Sequence, residues 1–235
     1  MILGLSRRED AARLERIDAT FQRMFTDDRH AFDLAMSALV GGASPGTVGD
    51  DLRTTDRQVN EAEREIRREL VVHASVYGGF TTPEVLVYMS IVKDVERIGD
   101  YAKNLFDIAA DGIVLDQGEL MNEVLSLRSR LSRMITDVAE VFEQRDGARA
   151  REMFREGDAL QDDFDERVSA LVTGRIGEPY AVAYALTYRY LKRIVAHLMN
   201  VLSAVVMPID RLDFFDADPE DRPEVGIPPG EGDDD

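Results

Sequence analysis

The sequence predicts an all-α protein of two pseudo-symmetric three-helix bundles followed by an acidic C-terminal tail. Two observations carry this expectation. Apolar residues recur at three-four spacing up to about Met207, and the segment beginning at Pro83 matches the one beginning at Pro179 without a gap, at an offset of 96 residues. Composition agrees: 44% hydrophobic and 31% charged residues, with no Trp and no Cys, suit long amphipathic helices better than a sheet.

The first helix is read from Leu14, Ile17, Phe21, Met24, Phe32, Ala35 and Leu39, a spacing that only a helix gathers on one face. Gly41 to Gly49, with Pro45 inside, breaks it. The second helix has a seam of Leu52, Val59, Ile66 and His73, with Asp56, Glu63 and Leu70 between them, so two seam positions are acidic. Gly78 and Gly79 end it. Thr82 and Pro83 read as the cap and first residue of a third helix that runs to about Ala110, with Tyr88, Ile91, Val95, Ile98, Ala102 and Leu105 inward.

After Asp111 and Gly112 the pattern restarts. Leu120, Val124, Leu127, Leu131, Met134, Val138 and Val141 mark the fourth helix, Ala148 to Val172 the fifth, and Pro179 to Met207 the sixth. Within the repeat Tyr88 falls on Tyr184, Arg97 and Ile98 on Arg193 and Ile194, and Asn104 on Asn200. The second and fifth helices correspond at a slightly different offset, with Asp56, Glu63 and Ile66 on Asp158, Asp165 and Val168. The expected units are therefore residues 1–112, 113–207 and a tail, 208–235. The tail's prolines and acids predict disorder, with Leu212, Phe214 and Phe215 pinning its start to the bundle.

A net charge of -18 excludes nucleic acid as a partner, because such affinity comes from Lys and Arg neutralising phosphates. Ile194 to Met207 is the most apolar stretch; it is too short for a bilayer and carries His197 and Asn200, so no membrane insertion is expected. The lack of a readable leader and of cysteine fits a cytoplasmic protein. Enzyme signatures are missing as well: there is no phosphate-cradling Gly-rich loop and no thiol nucleophile. His30, His73 and His197 fall on three different helices, none in Glu-x-x-His spacing.

The carboxylates are more informative. Glu96 and Asp100 lie four apart on one face of the third helix, and on an exposed face such a pair costs only about 0.2 to 0.5 kcal/mol and needs no explanation. Asp56, Asn60 and Glu63, however, sit on or beside the seam of the second helix, where burying ionised oxygens requires a compensating cation. Two helices converging such groups would make an oxygen-rich cation site. Gly99 between the two acids serves close approach or packing.

The string VKDVERIGDYAKNLFDI, Val92 to Ile108, resembles the signature helix of the PhoU family through its Glu-Arg-Ile-Gly-Asp core and following Asn104. The resemblance covers Asp10 to Val206 and implies two three-helix repeats. It also implies a non-enzymatic regulator of phosphate uptake, acting on a sensor histidine kinase and the phosphate ABC transporter components, and leaves room for a homodimer. The family's carboxylate motifs bind metal, so the resemblance implies a divalent or iron-type ion on Asp56, Glu96 and Asp100, with Asn60 and Glu63 as helpers. Asn60 stands where an Asp is usual. In the second half Asp158 and Asp162 match the family's acids, but Lys192 and Ala196 replace the acids of the sixth helix. Lys192 is therefore expected to pair with Asp158 or Asp162 in place of a metal.

Overall fold

A computed structural model describes residues 2–77, 82–116 and 118–212 of the chain. Six helices account for nearly all of them: α1 (Ile2–Leu39), α2 (Pro45–Tyr77), α3 (Thr82–Ala110), α4 (Met121–Gln144), α5 (Gly147–Val172) and α6 (Ala181–Val206). A 3-10 turn, Ile209–Arg211, lies against α3. No described helix is long and apolar enough to cross a membrane. The glycines at 78 and 79 and the tail from residue 213, including Phe214 and Phe215, lie outside the described residues.

Helices α1, α2 and α3 pack mutually, as do α4, α5 and α6, and α1 meets α4 while α3 meets α6. Every inward position expected on α3 is buried: Tyr88, Ile91, Val95, Ile98, Ala102 and Leu105. The apolar seams of α2 and α4 are buried too. Periodicity placed these faces because a helix at three-four spacing can hide only one stripe.

Helix ends depart from expectation where a local residue tolerates more than its type suggests. The break after α1 is shorter than Gly41 to Gly49, because Pro45 opens α2: its missing N–H would be unpaired in the first turn anyway. Helix α6 starts at Ala181, two residues beyond Pro179. Between α4 and α5 there are only two residues. Arg145 takes a left-handed φ of 54°, and Asp146 caps α5 by accepting from the backbone N–H groups of Ala148 and Arg149, each at 3.0 Å. The strained Arg145 is tied down by its surroundings: its guanidinium stands 4.1 Å over the Phe142 ring and donates to the Tyr88 hydroxyl at 3.2 Å, and that hydroxyl in turn bonds Asp18.

The two bundles meet along α3 and α6, which run antiparallel. His197 Nδ1 donates to Asp94 Oδ1 at 2.8 Å and Asn200 Nδ2 to the same oxygen at 2.9 Å, while Tyr101 meets Tyr190 with ring centroids 6.1 Å apart. At the 96-residue offset Asp94 corresponds to Tyr190 and Tyr101 to His197, so these are two images of one contact, polar on one side and aromatic on the other. Asp94 is 1% exposed. Removing it orphans two half-buried donors, so Asp94→Ala is expected to cost about 2 kcal/mol in urea unfolding, with His197→Ala adding little on top. A loss below about 0.5 kcal/mol would assign the seam's cohesion to apolar packing alone.

Candidate functional site

One side of the first bundle gathers acids from three helices. From α2 come Asp56 and Glu63, both half-buried, with Asn60 between them; from α3 come Glu96 and Asp100, also half-buried. Two cations enter this group. Lys103 Nζ donates to Asp56 Oδ1 at 3.1 Å and to Asp100 Oδ1 at 3.2 Å, bridging α2 and α3, while Arg67 holds Glu63 at 2.8 Å. Asn60 turns its amide onto its own helix, donating to the Asp56 carbonyl at 2.8 Å.

The third helix was not anticipated. Asp28 of α1 is 0% exposed, and neither carboxylate oxygen has a hydrogen-bond partner. It faces α3 at Gly99: a Cβ built on that glycine would lie 2.6 Å from Asp28 Oδ1. A signal for it exists in the sequence, because position 28 is one turn from both Met24 and Phe32 on the apolar stripe and is occupied by an acid. Lys103 was equally legible, three residues after Asp100.

Charge in this cluster is unbalanced. Burial pushes the Asp28 carboxyl well above the usual carboxylate range, and Asp27, Glu96, Asp100 and Asp56 push it the same way. Glu96 is pushed up to about 7, first by burial and then by Asp100 and Glu63, against the pull of Arg97 and Lys103. Burial alone would lower Lys103, but its hydrogen bonds to Asp56 and Asp100 outweigh that and hold it above its ordinary value.

The second bundle differs at each equivalent position. Lys192 replaces Glu96, Val195 replaces Gly99 and Ala196 replaces Asp100. The buried face of α4 is apolar throughout, with no counterpart to Asp28. Lys192 pairs with Asp165 at 2.5 Å, not with Asp158 or Asp162 as expected; Arg189 reaches the same carboxylate at 3.2 Å. Asp165 corresponds to Glu63, so the contact faces the residue that crowds Glu96 in the other half. Asp162 is exposed on α5 and Asp158 half-buried.

Among the described residues no three His, Asp or Glu side chains are already drawn up as a metal-ligand set. The donor chemistry of the first bundle nonetheless fits a hard cation. All the groups are oxygens, and a buried acid with two unpartnered oxygens is a group that positive charge would satisfy. The histidines lie elsewhere: His30 bonds Asp51 at 3.0 Å, His73 lies tilted against Tyr77, and His197 belongs to the inter-bundle seam.

The chain resembles proteins of known family over most of its length. The family model for the PhoU domain matches residues 21–109, the segment that holds every acid of the first-bundle cluster. A "Phosphate-specific transport system accessory protein PhoU homolog" from Deinococcus radiodurans is 26% identical over 166 residues, 66% of this chain and 76% of that protein. One of the same name from Synechocystis is 24% identical over 198 residues, covering 82% and 87%. The crystal structure of PhoU from Pseudomonas aeruginosa has the same fold, with a TM-score of 0.73 at 21% identity, covering 85% of this chain and 98% of that one.

Raised carboxyl values have a signed consequence for stability. Glu96 titrates near 7 in the folded chain and near 4.5 when unfolded, so between those values the folded state binds more protons and stability falls as pH rises through that window. In chelator-containing buffer Glu96→Gln is therefore expected to melt higher than the wild type at pH 8, with the difference shrinking toward pH 5. A pH-independent difference in melting temperature contradicts this.

Proposed function

We propose that the chain is a PhoU-family protein, a non-enzymatic accessory protein of a phosphate-specific transport system. Carrying this reading is the extent of the likeness to relatives named for that role, over most of their length as well as its own. An all-helical chain with a large negative charge suits a protein that works by contact with partners. The partners proposed are a sensor histidine kinase and components of the phosphate ABC transporter, met in the cytoplasm.

Within the same reading, the first bundle takes one divalent or iron-type cation through Asp56, Glu96 and Asp100, with Asn60 and Glu63 beside them. The second bundle takes none, because Lys192 and Ala196 supply a like charge and a methyl group where ligands would be needed. Supporting this is the contrast between the two halves: Glu96, Asp100 and Asp56 lie near the Asp28 carboxyl, which stands against a glycine, while Lys192 and Ala196 take the places of Glu96 and Asp100 in the second half.

Affinity capture of the chain from its native cells, grown at low and at high phosphate, tests the proposal. A histidine kinase or a transporter ATPase of the phosphate system should be recovered, and deletion of the chain should leave phosphate-responsive genes expressed in phosphate-replete medium. Recovery of a transporter for another ion, with phosphate responses intact in the deletion strain, would move the chain to a different transport system.

A further inference from the structure

Asp28 carries an inference of its own. It is a fully buried acid whose two oxygens meet no hydrogen-bond donor, and it lies among other acids. An ionised carboxylate in that position costs several kcal/mol unless a positive charge reaches it. On α3 it lies against Gly99, where a Cβ would meet its Oδ1 at 2.6 Å, so the glycine admits the carboxylate directly against the helix between Glu96 and Asp100. The second bundle supplies an internal control. Where Val195 stands in place of Gly99, the helix packed alongside offers no buried acid, and the flanking acids are gone as well. The acid on α1, the glycine and the acids on α3 are thus present together or absent together.

We propose that Asp28 is itself a ligand of the first-bundle cation site, so that one hard divalent cation is held from three helices, with the Lys103 ammonium as the charge it displaces. This rests on the reading that the first bundle takes a cation. Asp28, Asp56, Glu96 and Asp100 form an all-oxygen set of the kind that suits Mn²⁺, Mg²⁺ or Ca²⁺. Lys103 brings one positive charge to Asp56 and Asp100. A divalent ion brings two, and unlike the lysine it can accept lone pairs from several carboxylates at once. Swinging Lys103 outward costs little because its side chain is already more than a third exposed.

The test titrates the chelator-stripped full chain with Mn²⁺ by calorimetry, alongside four variants whose metal-free melting curves are recorded. Asp28→Asn keeps the shape and one oxygen but removes the charge, and is expected to weaken Mn²⁺ binding about tenfold or more. Gly99→Ala leaves the acid in the sequence but pushes its carboxylate away, and should weaken binding similarly; it decides the matter if Asp28→Asn does not fold. Lys103→Met should tighten binding. Glu96→Gln, which tests the cation site without touching Asp28, should weaken it. If Asp28→Asn and Gly99→Ala bind within about twofold of the wild type while Glu96→Gln does not, Asp28 is no ligand and the two-helix site stands. Should the wild type take up no Mn²⁺ at millimolar concentration, the cation reading fails first, and Asp28's role with it.

Discussion

The contact on which the first bundle depends is the close approach of α1 to α3 at Gly99, which carries a carboxylate into the interior with nothing to bond it. Any larger residue at position 99 would have to displace either the acid or the helix. Because it is a glycine, α3 gives up roughly 1 kcal/mol of helix propensity and α1 places an acid on its apolar stripe. Neither choice helps the fold. Both gather negative charge at one place, and the consequences spread outward: Glu96 is hard to ionise, Lys103 is drawn between Asp56 and Asp100, and α2 can carry acids on its seam because a cation stands opposite.

The second bundle shows the same scaffold without that constraint. Tyr88 and Tyr184 are both buried, as are Ile98 and Ile194, so the apolar skeleton of α3 is retained in α6. Divergence includes the positions facing the acids, where Lys192, Val195 and Ala196 turn the site into apolar packing with a surface ion pair on Asp165. Fold and site thus depend on different residues of one helix, and either can change while the other is kept.

The division explains what could be read from sequence. Helix number, inward faces and the offset between α3 and α6 follow from periodicity, which burial enforces at every turn. Helix ends follow from single residues whose meaning depends on position: Pro45 reads as a breaker but serves as a first helical residue. Asp28 escaped because an acid amid charged neighbours Asp27, Arg29 and His30 reads as a solvated face, although its register places it inward. The partner of Lys192 escaped because spacing along one helix says nothing about how far the next helix slides against it, and the slide selects Asp165 over Asp158 or Asp162. Inward stripes are set by one helix alone and are legible; which side chains pair is set by two helices meeting and is not.

Helix α3 has a second role that bears on how such a site could influence a partner. Glu96, Gly99, Asp100 and Lys103 face the acids, while Asp94 and Tyr101 on the same helix hold α6 through His197, Asn200 and Tyr190. The inter-bundle contacts therefore fall within the same turns of helix as the acid cluster. Spatial intermediacy alone does not establish coupling; a physical link requires an element whose position both sites bias. Helix α3 meets that requirement geometrically, since a rigid helix cannot shift to close around a cation at Glu96 and Asp100 without moving Asp94 and Tyr101 too. The seam it would disturb is anchored by an acid with a single hydrogen-bonded oxygen and by aromatic contacts, so its resistance comes from a few specific groups as well as apolar area. Charge gathered in the first bundle is thereby placed where it can alter how the second bundle sits.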